Sequence, residues 1–255
     1  MPNNPETARP PSGRSVLHEA EFEEVPGSRA ARLRVGGITP LTSIDFPGRL
    51  AAVVFCQGCP WRCSYCHNPE LLESRVGGNM SWARVVAFCE QRRGLLDGIV
   101  FSGGEPTLQP ALPHALAQVR NLGFEAALHT GGMFPDRLAT VLPQLDWIGF
   151  DVKGPWERMD AITGSRGSAA RVQASLRQLL ASGVDYECRT TWDPTLFGLD
   201  ELCVLAHELA TMGVAHWALQ ECRSPDRAPH EFEPEQLRAF GRCFPQFTLR
   251  RASPG

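Results

Sequence analysis

Short runs of strand character alternate with helical stretches along most of this chain, and that alternation restricts the fold more than any other feature. The strand-like runs fall at 51–55, 98–101, 124–128, 147–150, 186–191 and 216–219, with a last one near 247–249. Ser81 is a good N-cap for the helix SWARVVAFCEQRR, in which Val85, Phe88 and Cys89 share a face. Further helices are expected at about 110–121, through Leu138 and Val141, at 168–182 closing on Gly183, at 199–212 and at 234–243. Parallel strands require such a helical return, because each crossover must carry the chain back to its starting edge. Six strand-then-helix units predict an α/β fold, a partial (β/α)6 TIM-like barrel of parallel strands. It is open because eight units do not fit, and its helices lie outside.

Ahead of the first unit, RLRVGGITPLTSIDFPGRL is expected to form an irregular hairpin, with Gly36-Gly37 and Pro47-Gly48 as turn punctuation. Residues 1–30 are rich in Pro, Glu, Arg and Ser without a sustained apolar period. They predict a disordered tail with at most a short helix near 16–24, followed by one domain at 31–255. A charge of −3 at 43% hydrophobic residues gives no global reason to expect nucleic-acid or membrane binding. No run of about eighteen apolar residues would span a bilayer, and the N-terminus lacks the basic-then-apolar order of a signal peptide. The expected location is the cytoplasm. There, nine cysteines should be free thiols or metal ligands rather than disulfides.

In barrels of this kind the active site lies at the C-terminal ends of the strands. Each run here is followed by an unusual tag: a cysteine cluster, then SGGEP (102–106), HTGG (129–132), DVKGP (151–155), RTTWDP (189–194) and QECR (220–223). These tags should converge. The cluster, FCQGCPWRCSYCHNP, holds Cys56, Cys59, Cys63 and Cys66 within eleven residues. Structural zinc sites usually separate their ligand pairs by a dozen or more residues, so four ligands this close would be cramped. Iron-sulfur clusters accept closely spaced thiolates from one loop, and three cysteines on a four-iron cluster leave one iron open.

The spacing CxxxCxxC from Cys59 to Cys66, with Tyr65 before the last cysteine and SGGEP after the next strand, resembles the radical S-adenosylmethionine superfamily. The wider pattern resembles its anaerobic ribonucleoside-triphosphate reductase activating branch: IDFPGRLAAVVFCQGCPWRCSYCHNPEL, GIVFSGGEPTLQP, WIGFDVKGP, YECRTTWDP and WALQECR. The resemblance implies that Cys59, Cys63 and Cys66 ligate a 4Fe-4S cluster whose open iron binds S-adenosyl-L-methionine. One electron then cleaves the sulfonium and releases a 5′-deoxyadenosyl radical. It implies cofactor contacts from Tyr65 along the adenine, from Gly103, Gly104 and Glu105 at the amino group, and from Lys153 and Arg189 at the carboxylate, with Asp151 at an acidic strand end. No catalytic residue is implied beyond the cluster and cofactor. The implied partners are a glycyl-radical enzyme, an anaerobic ribonucleotide reductase, as protein substrate and a flavodoxin or ferredoxin as electron donor. Where several activases of this kind carry Asp-Thr-Asn-Gly, this chain has His129-Thr130-Gly131-Gly132, and a histidine does not replace a hard oxygen ligand for a cation.

Ordinary readings stand beside these. Asp151 and Lys153 point the same way if their strand continues through them, and could form a simple ion pair. Arg189 could equally cap a helix. Cys56 lies outside the triad spacing and is expected to be a small buried residue. Cys89, Cys188, Cys203, Cys222 and Cys243 are scattered singly and are expected to pack in the core, and His67 to orient its loop. Two alternatives stay open: a radical enzyme acting on a small molecule, such as a deazapurine-forming carboxylate synthase (7-carboxy-7-deazaguanine synthase-like), and a non-catalytic zinc-binding module.

Overall fold

The computed structural model describes residues 28–75, 77–222 and 230–251. Expectations for residues 1–27 and for Arg223 lie outside them. Eight strands form one sheet in chain order: β1 (Val35–Thr42), β2 (Ala51–Cys56), β3 (Gly98–Gly103), β4 (Glu125–Thr130), β5 (Trp147–Asp151), β6 (Asp185–Trp192), β7 (His216–Glu221) and β8 (Gln246–Arg250). β1 pairs antiparallel to β2, and every later neighbour pairs in parallel. Among the described residues β8 does not close onto β1, so the chain forms the expected open partial barrel, with seven parallel strands and an antiparallel strand at one edge.

The helices α1 (Trp82–Gln91), α2 (Leu112–Asn121), α3 (Pro135–Val141), α4 (Met159–Thr163), α5 (Ser168–Ser182), α6 (Leu199–Thr211) and α7 (Pro234–Cys243) return the chain between strands. Local chemistry sets their ends. Ser81 accepts a hydrogen bond from the Arg84 amide at the start of α1. α5 begins after Gly167 and ends at Gly183, both left-handed, and Asp160 accepts from the Gly167 and Ser168 amides (2.7 and 2.8 Å) ahead of its first turn. Val172, Leu176 and Leu179 of α5 are fully buried, each contributing about 1.5–3 kcal/mol.

Strand alternation divides the core into two layers. Ala52, Val54 and Cys56 of β2 join the main core together with helix residues such as Val85, Leu116 and Leu176. Ala51 and Val53 face the barrel interior, where they meet Phe46, Val100, Ala127 and Trp147. Phe46, from the β1–β2 hairpin, stacks on Trp147 at 6.0 Å between centroids and fills the interior near the strand starts. The other ends of the strands are thereby left to form a site. A 3-10 turn at Arg29–Arg32 buries Ala30 in the main core.

Two of the scattered cysteines depart from expectation. Cys89 and Cys188 are buried, Cys222 is intermediate, but Cys203 and Cys243 are exposed. The two lie on helix positions that face away from the sheet, where the core-facing positions are taken by residues such as Leu202, Leu205 and Phe240.

Candidate active site

The strand-end tags converge on one cavity of about 750 Å³, a volume in the range of small-molecule and cofactor sites. Cys59, Cys63, Cys66, Tyr65, Gly103, Gly104, Glu105, Asp151, Lys153 and Arg189 all line it. Cys56 does not. It is fully buried, and its place in the strand alternation turns it toward the helix layer.

The cysteine loop is held on several sides before any ligand is considered. The Gly58 and Cys59 amides donate to the Leu71 and Leu72 carbonyls (2.7 and 3.1 Å), and the Arg62 amide donates to the Thr163 carbonyl of α4 (2.8 Å). Gly104 and Glu105 amides donate to the Cys56 and Gly58 carbonyls, both at 2.9 Å, which locks the SGGEP turn against the cysteine loop. This contact is why glycines stand there. A Cβ on Gly103 would lie 2.5 Å from the Cys56 amide nitrogen, one on Gly104 would lie 2.3 Å from the Gly58 carbonyl oxygen, and Gly103 has φ of +108°. The resemblance implies that these glycines meet a ligand; the structure adds close approach by the chain itself.

Glu105 is buried, and its carboxylate is spent on the protein. It accepts from the Thr107 amide (3.0 Å) and hydroxyl, from the Thr130 hydroxyl (2.7 Å) and from the Gly131 amide (2.9 Å), while its carbonyl accepts from the Leu108 amide (3.0 Å). Burial raises its carboxyl above the usual range despite the donors from Thr107, Thr130 and Gly131.

On the opposite wall Asp151 bridges two cations. Lys153 Nζ donates to its Oδ2 (2.9 Å) and Arg189 Nε to its Oδ1 (2.8 Å), so the strand-end ion pair is present and Arg189 belongs to β6 rather than to a helix cap. Burial opposes ionisation of Asp151, but Arg189 and then Lys153 outweigh it and hold its carboxyl well below the usual range. Burial likewise opposes the charge on Lys153, and Asp151 outweighs it. One anion between two cations leaves a surplus positive charge on this wall, suited to a carboxylate. The Tyr65 hydroxyl donates to the Lys153 carbonyl (3.2 Å), tying the cysteine loop to this wall.

His129 faces the interior between these walls. The Asp45 carbonyl accepts from Nε2 (2.9 Å), which places the ring proton there and leaves Nδ1 to accept from the Ser102 hydroxyl (3.3 Å). Burial, and then Arg189, push the ring down to about 3, so it is neutral. Both nitrogens are used within the protein, and the ring offers no hard oxygen.

Sequence reasoning passed over three residues at this site. Trp61, between two of the cysteines, lines the cavity, and its buried indole N–H has no partner among the described residues. Its place inside the motif was a usable signal. Asp45 acts through a backbone carbonyl and Arg250 through a long-range pair with Glu187, and neither leaves a local signature.

The Radical SAM superfamily model matches residues 53–201, more than half of the chain, and the chain belongs to that superfamily. It is an enzyme of radical SAM type, whose cofactors are a 4Fe-4S cluster and S-adenosylmethionine. The zinc-module reading is thereby set aside. A protein of Methanocaldococcus jannaschii named as a glycyl-radical enzyme activating enzyme is 27% identical over 207 residues, covering 78% of this chain and 84% of the relative. A pyruvate formate-lyase-activating enzyme of Clostridium pasteurianum is 32% identical over 125 residues, 47% of this chain and 52% of its own, so the match spans about half of that relative. Among solved structures, Streptococcus suis SuiB bound to S-adenosylmethionine has a TM-score of 0.55 at 12% identity, over 76% of this chain and 48% of that one, a likeness of fold alone. Among the described residues no helix is long and apolar enough to cross a membrane.

The residues present fit these cofactors. Three thiols share one loop, and the surplus positive charge of Lys153 and Arg189 over Asp151 lines the same cavity. Burial, with the Glu105 charge added, pushes the Cys59 thiol up to about 12, and burial raises Cys63 as well. Such thiols stay protonated near neutral pH until a metal displaces the proton.

Proposed function

We propose that this chain is an activating enzyme that removes a Cα hydrogen from a glycine of a partner protein, and that the partner is an anaerobic ribonucleoside-triphosphate reductase. The observation that carries the reading is the 207-residue match to a relative named for glycyl-radical activation, which spans 84% of that relative. The strand-end segments YECRTTWDP and WALQECR favour the ribonucleotide reductase branch.

In this reading Cys59, Cys63 and Cys66 hold the cluster. Tyr65 lies along the adenine, and the backbone of Gly103, Gly104 and Glu105 meets the amino group of S-adenosylmethionine. Lys153 and Arg189 meet its carboxylate, with Asp151 fixing both cations. All ten residues line the same cavity, which supports the assignment. When bound, the cluster and S-adenosylmethionine supply one-electron cleavage of the sulfonium, yielding a hydrogen-abstracting radical. The protein's part is to orient the cofactor and exclude water: Glu105 stiffens the β3–β4 wall through four accepted hydrogen bonds, and the Asp151 pair keeps two long cationic side chains in place. A flavodoxin or ferredoxin supplies the electron, residues 31–255 act as one domain, and the setting is cytoplasmic.

The test is anaerobic reconstitution with iron, sulfide, reductant and S-adenosylmethionine in the presence of the candidate reductase, read by EPR. A glycyl doublet on the reductase is expected. Abundant 5′-deoxyadenosine with no glycyl signal on any such partner sinks the reading, and turnover of a metabolite without a partner protein moves the substrate to the small-molecule class.

A further inference from the structure

We propose that the exposed arginines Arg62, Arg166 and Arg171 form the docking surface for an acidic one-electron carrier protein that reduces the cluster. The inference rests on the reading above that a protein such as flavodoxin or ferredoxin supplies the electron, and it adds where that protein binds.

Cleavage of the cofactor draws one electron from outside, so a carrier must approach the loop that holds the cluster. From Phe55 to Pro69 that loop carries Arg62 and no acid. The Arg62 amide donates to the Thr163 carbonyl at the end of α4 (2.8 Å), and a Cβ on the next residue, Gly164, would lie 3.5 Å from the Cβ of Arg62. The chain then runs through Arg166 and Gly167 into α5, where Arg171 Nη2 is 3.9 Å from the place a Cβ on Gly167 would take. The three arginines therefore share one patch of surface beside Cys63. All three are exposed, and among the described residues none is in an ion pair.

Arg62 Nη1 donates to the carbonyls of Cys59 (2.6 Å) and Trp61 (2.8 Å), which are neutral and leave its charge in place. The acid within the patch is Asp160, committed to the Gly167 and Ser168 amides (2.7 and 2.8 Å). By contrast Arg158, on the same segment, is paired with Glu201 (2.7 Å). Local structure disfavours the arrangement, because cations near a helix N-terminus oppose the helix dipole. Yet α5 has no acid in its first turn, with Arg166 two residues ahead of it and Arg171 at its fourth position. The other end of the loop differs in sign. Gly58 and Cys59 bond to Leu71 and Leu72, and that stretch exposes Glu70 and Glu73. An acidic carrier is attracted at the arginines and repelled at the glutamates, which orients it and raises its encounter rate. One electron passes from the reduced carrier to the oxidised cluster, and no bond or proton changes hands.

The test uses the full chain, reconstituted anaerobically with iron and sulfide, with reduced flavodoxin and reduced ferredoxin as separate probes. Cluster reduction is followed by stopped-flow absorbance in the wild type, in Arg166→Glu/Arg171→Glu and in Arg166→Lys/Arg171→Lys. Arg62 is left in place because its side chain holds the cysteine loop. The wild-type second-order rate constant should fall as salt is added. Charge reversal should lower it at least about tenfold at low salt and flatten the salt dependence, while the lysine variant keeps both, since steering depends on charge. Iron and sulfide content should be the same in all three, as should photoreduction by deazaflavin, a small reductant that needs no docking surface. A wild-type rate in the glutamate variant, or a wild-type protein whose rate does not fall with salt, overturns the proposal. Failure of both carriers to reduce a wild-type cluster that deazaflavin does reduce overturns the donor reading, and the proposal with it. No readout involves a glycine-bearing partner, so either failure leaves the activase reading untouched.

Discussion

A single thiol removed at a time separates the four clustered cysteines. Cys59→Ala, Cys63→Ala or Cys66→Ala should each abolish iron retention after anaerobic reconstitution. Cys56→Ala should keep most of it, and lose on the order of 1 kcal/mol of stability, as deletion of one buried heavy atom does. Iron analysis with urea unfolding checks this, and equal iron loss from Cys56→Ala would show that the ligand set is misassigned. His129 carries a pH prediction. Its ring titrates near 3 when folded and near 6.5 when unfolded, so between those values the unfolded chain binds a proton that the native chain does not. Stability contributed by the neutral ring is present above about pH 6.5 and falls on acidification, by up to about 1.4 kcal/mol per pH unit. The stability difference between pH 7.5 and pH 5 should therefore shrink in His129→Gln, and an unchanged difference would refute the assignment. The spacing of Cys59, Cys63 and Cys66 was legible because all three lie on one loop. The commitment of Glu105 to Thr130 and Gly131 was not, because it arises only when β3 and β4 meet.

At the scale of elements, those with strong local punctuation were legible to the residue. α5 ends before Gly183, which takes φ of +76°, and α7 begins on Pro234, where a missing N–H costs nothing. α4 was not anticipated, since five residues carry no period, although its Thr163 carbonyl anchors the cysteine loop through Arg62. What ties the open edge was equally hidden. Arg250 at the end of β8 reaches over β7 to Glu187 on β6 with two bonds, 2.6 and 2.8 Å, so the last strand is tied to its second neighbour as well as its first. Arg250 is 37% exposed, which limits the pair to about 1 kcal/mol or less. Glu187→Gln should accordingly speed hydrogen exchange of the β8 amides by up to about fivefold, with β2–β5 unaffected. Equal protection in β8 before and after the substitution would show that the ladder to β7 alone holds the edge.

Among the described residues the sheet does not close, and the cavity's walls come from the ends of β3, β4, β5, β6, β7 and β8, from the loop after β2 and from the β1–β2 hairpin. No strand pairing among the described residues ties the first wall to the last, so an occupant that touches several of them binds only the native arrangement. Linkage then fixes the size of the effect: ligand at one hundred times its Kd adds about 2.7 kcal/mol to stability. For a domain of this size 1 kcal/mol moves Tm by roughly 2–4 °C, so saturating S-adenosylmethionine should raise the Tm of the cluster-loaded chain by at least about 5 °C. Lys153→Gln should reduce the shift at a fixed S-adenosylmethionine concentration, because the wall keeps Asp151 but loses one of its two cations. Chelating the iron should reduce it further, because in the proposed assignment an open iron of the cluster anchors the cofactor. Anaerobic calorimetry of the loaded, chelated and Lys153→Gln proteins, each with and without S-adenosylmethionine, measures all three. A shift that survives chelation unchanged would mean that the cofactor is held by the protein walls alone, and would detach Cys59, Cys63 and Cys66 from its binding.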